Sequence, residues 1–221
     1  MRTLRYLAIA VVLCGFAIPA LASGGSKIED VPVETPASPE QQANERYNSG
    51  LQSRDNAWRL TKKLSKPDLP QAKQAKMQKN IKRSYENAVR EFTAALSHQP
   101  NHYEALGGLG YAYRQLGDYA NAMQAYDAAL EINPDYAQAI EYRAEAYLGL
   151  NRINEAQNAY RLLLDKNAEL ASELLGSMQS WIEHRREDLA GLELSQLDGF
   201  AVWVEDRGQT ATGSSLHKGG W

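Results

Sequence analysis

Hydrophobic residues recur at steps of three and four along most of this chain, which is the spacing of an α-helix that buries one face. A first helix is predicted to run to about Leu64, with Ser38 as its cap, Pro39 in its first position and Gln41 in its third. Its apolar side is expected to carry Ala43, Tyr47, Leu51, Ala57 and Trp58.

Two prolines end this first helix, because Pro67 and Pro70 lie too close together to fit inside a helix. A second long helix is predicted from about Gln71 to Ser97, where residues 99–101 end it. The apolar positions of this second helix are Met77, Ile81, Tyr85, Ala88, Phe92 and Ala95.

The next two stretches superimpose on each other with a period of 34 residues: Tyr103–Tyr136 and Ala137–Leu170. A period of this length indicates stacked helical hairpins, each of which buries its apolar face only against a neighbour. The repeated positions in the first stretch are Leu106, Leu109, Gly110, Tyr113, Gly117, Ala122, Tyr126, Ala129 and Pro134, and those in the second are Ile140, Ala144, Tyr147, Ala156 and Tyr160.

The small residues of the pattern have physical reasons. Gly110 and Ala122 are small where two helices are expected to cross closely. Gly117 suits a tight turn, and Asn151 tolerates the same left-handed conformation in the second copy. Ala168 stands where the first copy has its closing proline, so the chain is expected to continue more directly into the following helix.

This pattern resembles the tetratricopeptide repeat, with Leu109-Gly110, Tyr113, Ala122, Tyr126 and Pro134 at that family's positions. The resemblance implies an all-α fold: a right-handed superhelix of about three hairpins with a carboxy-terminal helical cap. Residues 40–102 are interpreted as a split first hairpin with extended helices, because only residues 85–100 match the family well and the first half is displaced to residues 47–51. Capping helices are predicted over residues 171–206, at about 171–186 and 195–205, and a disordered tail over 207–221.

The amino terminus is typical of an exported protein. Arg2 and Arg5 precede an apolar run over residues 7–18, and small residues follow at 20–22. Residues 1–22 are therefore interpreted as a cleaved signal peptide and 23–39 as a flexible linker, with an uncleaved anchor as the alternative. Leu13 before Cys14, the only cysteine, does not fit a lipoprotein signal, so a periplasmic or secreted protein is expected.

Candidate chemistry is sparse. The sequence contains no metalloprotease, phosphate-loop or nucleophile-elbow motif, so we expect no catalytic residues, no cofactor and no metal site. His98 and His102 have a metal-like separation, but Pro100 breaks the helix that would align them. The chain is predicted to be a non-enzymatic adaptor.

The resemblance also implies where a partner would bind, because the inner helix of each hairpin lines a concave groove in this family. Gly107 and Tyr111 stand where some members hold a partner's terminal carboxylate, so we expect that mode to be absent. The mixture of acidic and aromatic residues favours a protein or peptide segment with Lys or Arg and apolar anchors; the alternative is a solvated helix face. The groove positions are Glu104, Gly107, Tyr111, Arg114, Gln115, Gln138, Glu141, Tyr142, Glu145 and Leu148.

Residues 54–83, which we call the basic hairpin, have ten basic residues against Asp55 and Asp68, although the whole chain has a net charge of −3. This pattern supports an alternative function: an envelope-associated structural factor that contacts anionic lipid, a wall polymer or an acidic protein. Export argues against nucleic acid as the partner, and solvated helix faces are the simpler interpretation. The candidate patch is Arg59, Lys62, Lys63, Lys66, Lys73, Lys76, Lys79 and Lys82.

Overall fold

The computed structural model describes residues 37–66 and 69–216, with side chains as far as Gln209. The described part is all-α and forms hairpins of neighbouring helices, so the expected fold class is confirmed. The predicted signal peptide (1–22) and most of the predicted linker (23–39) lie outside the described residues. The helices are α1 (Pro39–Leu64), α2 (Gln71–His98), α3 (Tyr103–Gln115), α4 (Tyr119–Ile132), α5 (Ala137–Gly149), α6 (Ile153–Lys166), α7 (Ala168–Glu187) and α8 (Leu194–Leu216).

Each helix packs against the next, and α1, α3, α5 and α7 also pack in series as an inner row. The start of α1 is the predicted capping box: Gln41 N donates to Ser38 Oγ at 3.2 Å, and Ser38 N donates to Gln41 Oε1 at 2.8 Å. The predicted break at the two prolines separates α1 from α2. These local signals therefore set the first hairpin.

In the repeats, aromatic rings lie where glycines have no side chain, and this allows neighbouring helices to pack closely. A Cβ at Gly110 would lie 2.6 Å from the Tyr126 ring, which is fully buried. Phe92 of α2 fills the equivalent space beside both Gly50 of α1 and Gly108 of α3, again at 2.6 Å. The first hairpin is thus joined to the repeats by one ring between two glycines.

The turns follow the predicted backbone. Gly117 has φ +80° and Asn151 has φ +59°, both in the left-handed region. Asn167 alone separates α6 from α7, and its Oδ1 accepts from Leu170 N at 3.1 Å. This confirms the expected direct continuation at Ala168.

The first hairpin is about twice as long as the repeats, with helices of 26 and 28 residues against 13 or 14. It extends past both ends of α3. Tyr47 lies against His102, just before α3, at 4.8 Å between ring centroids. At the other end, Gln115 and Leu116 share a 420 Å³ pocket with Leu64 and Ile81, so the turn and the start of α2 extend beyond the repeat.

The carboxy-terminal cap differs from the prediction. Helix α8 continues to Leu216, whereas the sequence predicts a disordered tail from residue 207; residues 217–221 lie outside the described residues. Arg207 explains the continuation, because its Nη1 donates to the Trp203 carbonyl at 3.0 Å and its guanidinium lies 3.8 Å over the Trp203 ring. This contact stabilises the turn at which the prediction ended the helix.

Candidate binding groove

An open cleft of about 820 Å³ lies on the inner row of helices, between α1 on one side and α3 and α5 on the other. Its volume falls within the range of about 300–1,000 Å³ that is usual for ligand sites. We call it the aromatic cleft; its lining residues are Gln52, Arg54, Asp55, Trp58, Arg59, Tyr111, Gln138 and Tyr142.

The wall from α3 and α5 is a row of packed tyrosines. The rings of Tyr85 and Tyr111 are 6.2 Å apart, and those of Tyr111 and Tyr142 are 5.0 Å apart. The Arg114 guanidinium lies 5.1 Å from the Tyr111 ring and 5.8 Å from the Tyr142 ring. Burial raises the pKa of Tyr142 to about 12, so its hydroxyl stays protonated at neutral pH.

Two predicted groove residues hold the inner helices together. Arg114 Nη2 of α3 and a Glu145 carboxylate oxygen of α5 are 2.5 Å apart. Ser177 of α7 donates from its Oγ to Glu145 Oε1 at 2.7 Å. Arg114 and Glu145 thus form a mostly buried link across three hairpins, and neither is a free charge for a partner.

Glu141 is also withdrawn from the groove, because it is only 5% exposed. Burial is the main reason why its pKa rises from 4.5 to about 8; Glu145 and Glu173 add to the rise and Arg114 opposes it. Glu141 is therefore mostly neutral at pH 7. The acidic wall that the sequence suggested is absent from the cleft.

Of the other predicted groove residues, Tyr111, Tyr142 and Gln138 line the cleft, whereas Glu104 and Gln115 do not. Glu104 pairs with His102 at 3.0 Å, at the start of α3. Gln115 lines the separate pocket beside Leu64. Two further groove positions are filled internally: a Cβ at Gly107 would lie 2.7 Å from the Tyr136 ring, and Leu148 is buried in the core.

Sequence reasoning missed the α1 wall of the cleft. Trp58 was expected on the apolar side of α1, but 48% of it is exposed, so that assignment is wrong. The Lys62 Nζ lies 3.8 Å over the Trp58 ring, and Arg54 is four residues before it. Cations four residues away on both sides are the signal that could have placed Trp58 on the solvated face.

Two cations of this wall differ in their pairing. Arg54 Nη2 lies 2.8 Å from Asp55 Oδ1, so the charges of these neighbours cancel. Arg59 is exposed and has no ion-pair partner among residues 37–66 and 69–209. The cleft therefore carries one uncompensated positive charge beside three aromatic rings.

The predicted basic patch is fully on the surface. All eight of its residues are exposed, and no described residue from 58 to 83 is buried. Only residues half-covered by the partner helix, such as Leu64 and Ile81, hold this part of the hairpin together. None of the ion pairs within the described ranges uses one of the eight cations.

Two further properties concern only the part of the chain that the structure describes. No helix there is both long and apolar enough to cross a membrane. No group of three or more His, Cys, Asp or Glu side chains there is arranged to hold a metal ion.

Comparisons with known proteins agree with the repeat architecture. Two profiles described as tetratricopeptide repeat match the chain, one over residues 82–137 and the other over residues 113–178. No curated protein matches. Residues 82–178 therefore consist of tetratricopeptide repeats.

Several solved structures share part of the fold. The first tetratricopeptide domain of Spaghetti (RPAP3), bound to an HSP90 peptide, is 19% identical, with 61% of this chain and 94% of that chain covered and a TM-score of 0.42. The Arabidopsis OM64 domain is 16% identical, with 63% and 98% covered and a score of 0.43. The second domain of human RPAP3, in complex with an HSP70 peptide, is 17% identical, with 61% and 95% covered and a score of 0.43. These similarities say nothing about the partner of the present chain.

Proposed function

We propose that this protein is an exported, non-enzymatic adaptor that binds a peptide segment of another protein in the aromatic cleft. The observation that supports this most is the cleft itself, an open space of about 820 Å³ between Trp58 of α1 and the tyrosines of α3 and α5. The Tyr111 and Tyr142 rings already pack on each other and on Arg114, so binding costs little ordering of that wall.

The charges of the cleft favour an acidic segment instead of the basic one that the sequence suggested. Arg59 supplies the uncompensated charge, while Glu141 is mostly neutral and Glu145 is paired with Arg114. We therefore propose a segment with a carboxylate beside an aromatic or branched apolar side chain. The apolar group would pack against Trp58 and Tyr142, and the carboxylate would pair with Arg59.

A non-enzymatic role is supported by the state of the groove's titratable groups. The Glu145 carboxylate accepts from Ser177 and pairs with Arg114, and Glu141 is buried beneath the surface of α5. Glu145 therefore holds helices together, and neither carboxylate faces the cleft as a general acid or base would.

Selection from a random peptide library tests the binding role. Selected peptides are synthesised, and their dissociation constants are measured by fluorescence anisotropy for the native chain and for Trp58→Ala. Trp58 is half exposed, so its removal should leave the fold intact while weakening binding by at least about tenfold, the scale for an aromatic anchor.

Val202→Ala provides the matched control, because Val202 is an exposed apolar residue of α8, 67% exposed and outside the cleft. Equal binding by native protein and Trp58→Ala would overturn the cleft as the binding site. A selection that recovers basic segments and no acidic ones would overturn the proposed charge preference.

Export is tested by the mass of the chain recovered from its host. Cleavage after residue 22 should leave a protein that begins at Ser23. Recovery of the intact chain in the cytoplasm would contradict the exported part of the proposal and would leave the peptide-binding test unaffected.

A further inference from the structure

The end of the basic hairpin, residues 62–77, is a second surface, and none of these residues lines the aromatic cleft. Residues 65–70 join α1 to α2 there, and the end of α3 reaches only to the level of Leu64 and Ile81. The first seven residues of α2, Gln71–Met77, extend past this level by about 10 Å at 1.5 Å per residue. No described residue in this end is buried, so none of the described helices covers it.

The positive charge at this end is dense, because residues 62–77 carry five lysines and a single acidic residue, Asp68. Five lysines lie within two helical turns of the connection, and all are exposed: Lys62, Lys63, Lys66, Lys73 and Lys76. None of the ion pairs among the described residues involves these lysines. Lys62 lies over the ring of Trp58. Holding five like charges together costs free energy unless a counter-charge is supplied from outside.

Apolar side chains lie among these lysines. Leu64, Leu69 and Met77 are each only partly covered; Leu64 ends α1, Leu69 lies in the connection and Met77 lies in the first turns of α2. A flat anionic bilayer matches this arrangement, because its headgroups pair with lysines while its acyl boundary accepts partly exposed leucines. A soluble acidic polymer offers the charge but no apolar layer.

We propose that the end of the basic hairpin, formed by the five lysines around Leu64, Leu69 and Met77, docks on an anionic lipid surface. The cleft lies on the inner row of helices and the docking end lies beyond α3; the two surfaces adjoin where Lys62 contacts the Trp58 ring. The protein would then hold a peptide segment close to a membrane. This docking does not depend on whether the cleft binds a peptide.

The test measures partition of the full chain onto phosphatidylcholine vesicles with and without phosphatidylglycerol, by co-sedimentation. Residues 7–18 are apolar and common to every variant, so the informative quantity is the ratio of anionic to neutral partition. This ratio should exceed about ten at about 0.1 M salt. It should approach one at about 1 M salt, where the Debye length is only about 3 Å and surface charges are strongly screened.

Lys63→Glu with Lys76→Glu should lower the ratio by at least about tenfold, from the loss of two surface cations and the added repulsion. The matched control is Arg90→Glu with Arg161→Glu, which has the same change in net charge at exposed sites elsewhere and should keep the native ratio to within about threefold. Both pairs are checked for native helix content and melting temperature.

Leu69→Gln separates lipid from other anionic partners. It should reduce vesicle binding severalfold and leave the binding of soluble polyglutamate unchanged, because only the bilayer has an apolar layer. The proposal is overturned by a ratio near one at low salt, or by equal losses in the two charge-reversed pairs. It is also overturned if Leu69→Gln has no effect on vesicles, which would identify a general polyanion site.

Discussion

The first hairpin (α1 and α2) and the repeat hairpins (α3 to α6) share one topology but differ in how they are stabilised. The repeats bury residues on both helices of each pair, including Tyr126, Ile140 and Leu163. The first hairpin does so only between Ala43 and Ala57 on α1 and between Ser84 and Ala95 on α2. Its remaining length is a two-helix layer with polar residues outside.

This difference in burial separates the part of the molecule that forms the interior from the part that is available for binding. Neighbouring helices cover the inner repeat helices α3 and α5 on nearly every side, so Arg114, Glu141 and Glu145 become parts of the interior although they lie at groove positions. The residues of α1 beyond Ala57 have no such constraint, which leaves Trp58 and Arg59 free to contact a partner. The surfaces available for binding therefore concentrate where the regular repeat pattern is interrupted.

Gly110→Trp should show the largest effect of breaking this packing. The Tyr126 ring occupies the space of a Cβ at Gly110, at 2.6 Å, and Tyr126 is fully buried. The indole would force the ring and α4 apart, so we expect a loss of about 3 kcal/mol or more in the free energy of unfolding. Urea unfolding followed by circular dichroism measures it.

Gly176→Trp is the matched control, because a Cβ at Gly176 of α7 would meet no atom within 4 Å and the position is exposed. It should cost less than about 1 kcal/mol. Similar losses in the two variants would mean that the ring contact at Gly110 is not what holds this hairpin together.

Local chemistry made much of this architecture predictable from sequence. Ser38, Gln41 and the two prolines affect only the backbone within a few residues of their own positions. The bounds of α1 and α2 could therefore be predicted from the sequence. Gly110, Ala122 and Tyr126 recur at fixed spacing because each fills a gap between adjacent helices. The left-handed turns at Gly117 and Asn151 follow from the same local preferences.

The remainder depends on packing between elements that sequence spacing does not report. Trp58 has the helical spacing of a core residue but is 48% exposed, and the flanking cations Arg54 and Lys62 were the one local sign that this part of α1 is solvated. Glu141 occupies a groove offset, but α7 and its neighbours bury it. The contact of Arg207 with Trp203 likewise stabilises the turn of α8 at which composition began to favour disorder.

Glu141→Gln should have an intermediate effect, with a sign that depends on pH. Below pH 4.5 the carboxyl is protonated in the folded and unfolded states and contributes no pH dependence. Between pH 4.5 and about 8 the unfolded chain releases the proton while the folded chain retains it, so native stability falls as pH rises. The neutral amide removes this loss, and between pH 6 and 7 we expect the variant to be more stable by roughly 2–3 kcal/mol, with a larger difference at pH 8.

Urea unfolding of native protein and Glu141→Gln at pH 5, 6, 7 and about 8 measures the widening difference. Glu183→Gln makes the same charge change at an exposed position of α7 and should not alter the native slope. A constant difference between native and Glu141→Gln across this pH range would contradict the burial of an uncompensated carboxyl in the repeat.

The smallest effect is expected from Leu64→Ala at the far end of α1. Leu64 is only partly covered, by Ile81 and the end of α3, so its truncation should cost at most about 1 kcal/mol. The same truncation at Leu163, which is fully buried in α6, should cost about 3 kcal/mol.

Hydrogen exchange sharpens the contrast: amides of residues 71–77 should exchange by local opening, while those of 103–166 require global unfolding. Equal losses at the two leucines, with equal protection of both segments, would show that the basic hairpin is part of the same cooperative core as the repeats.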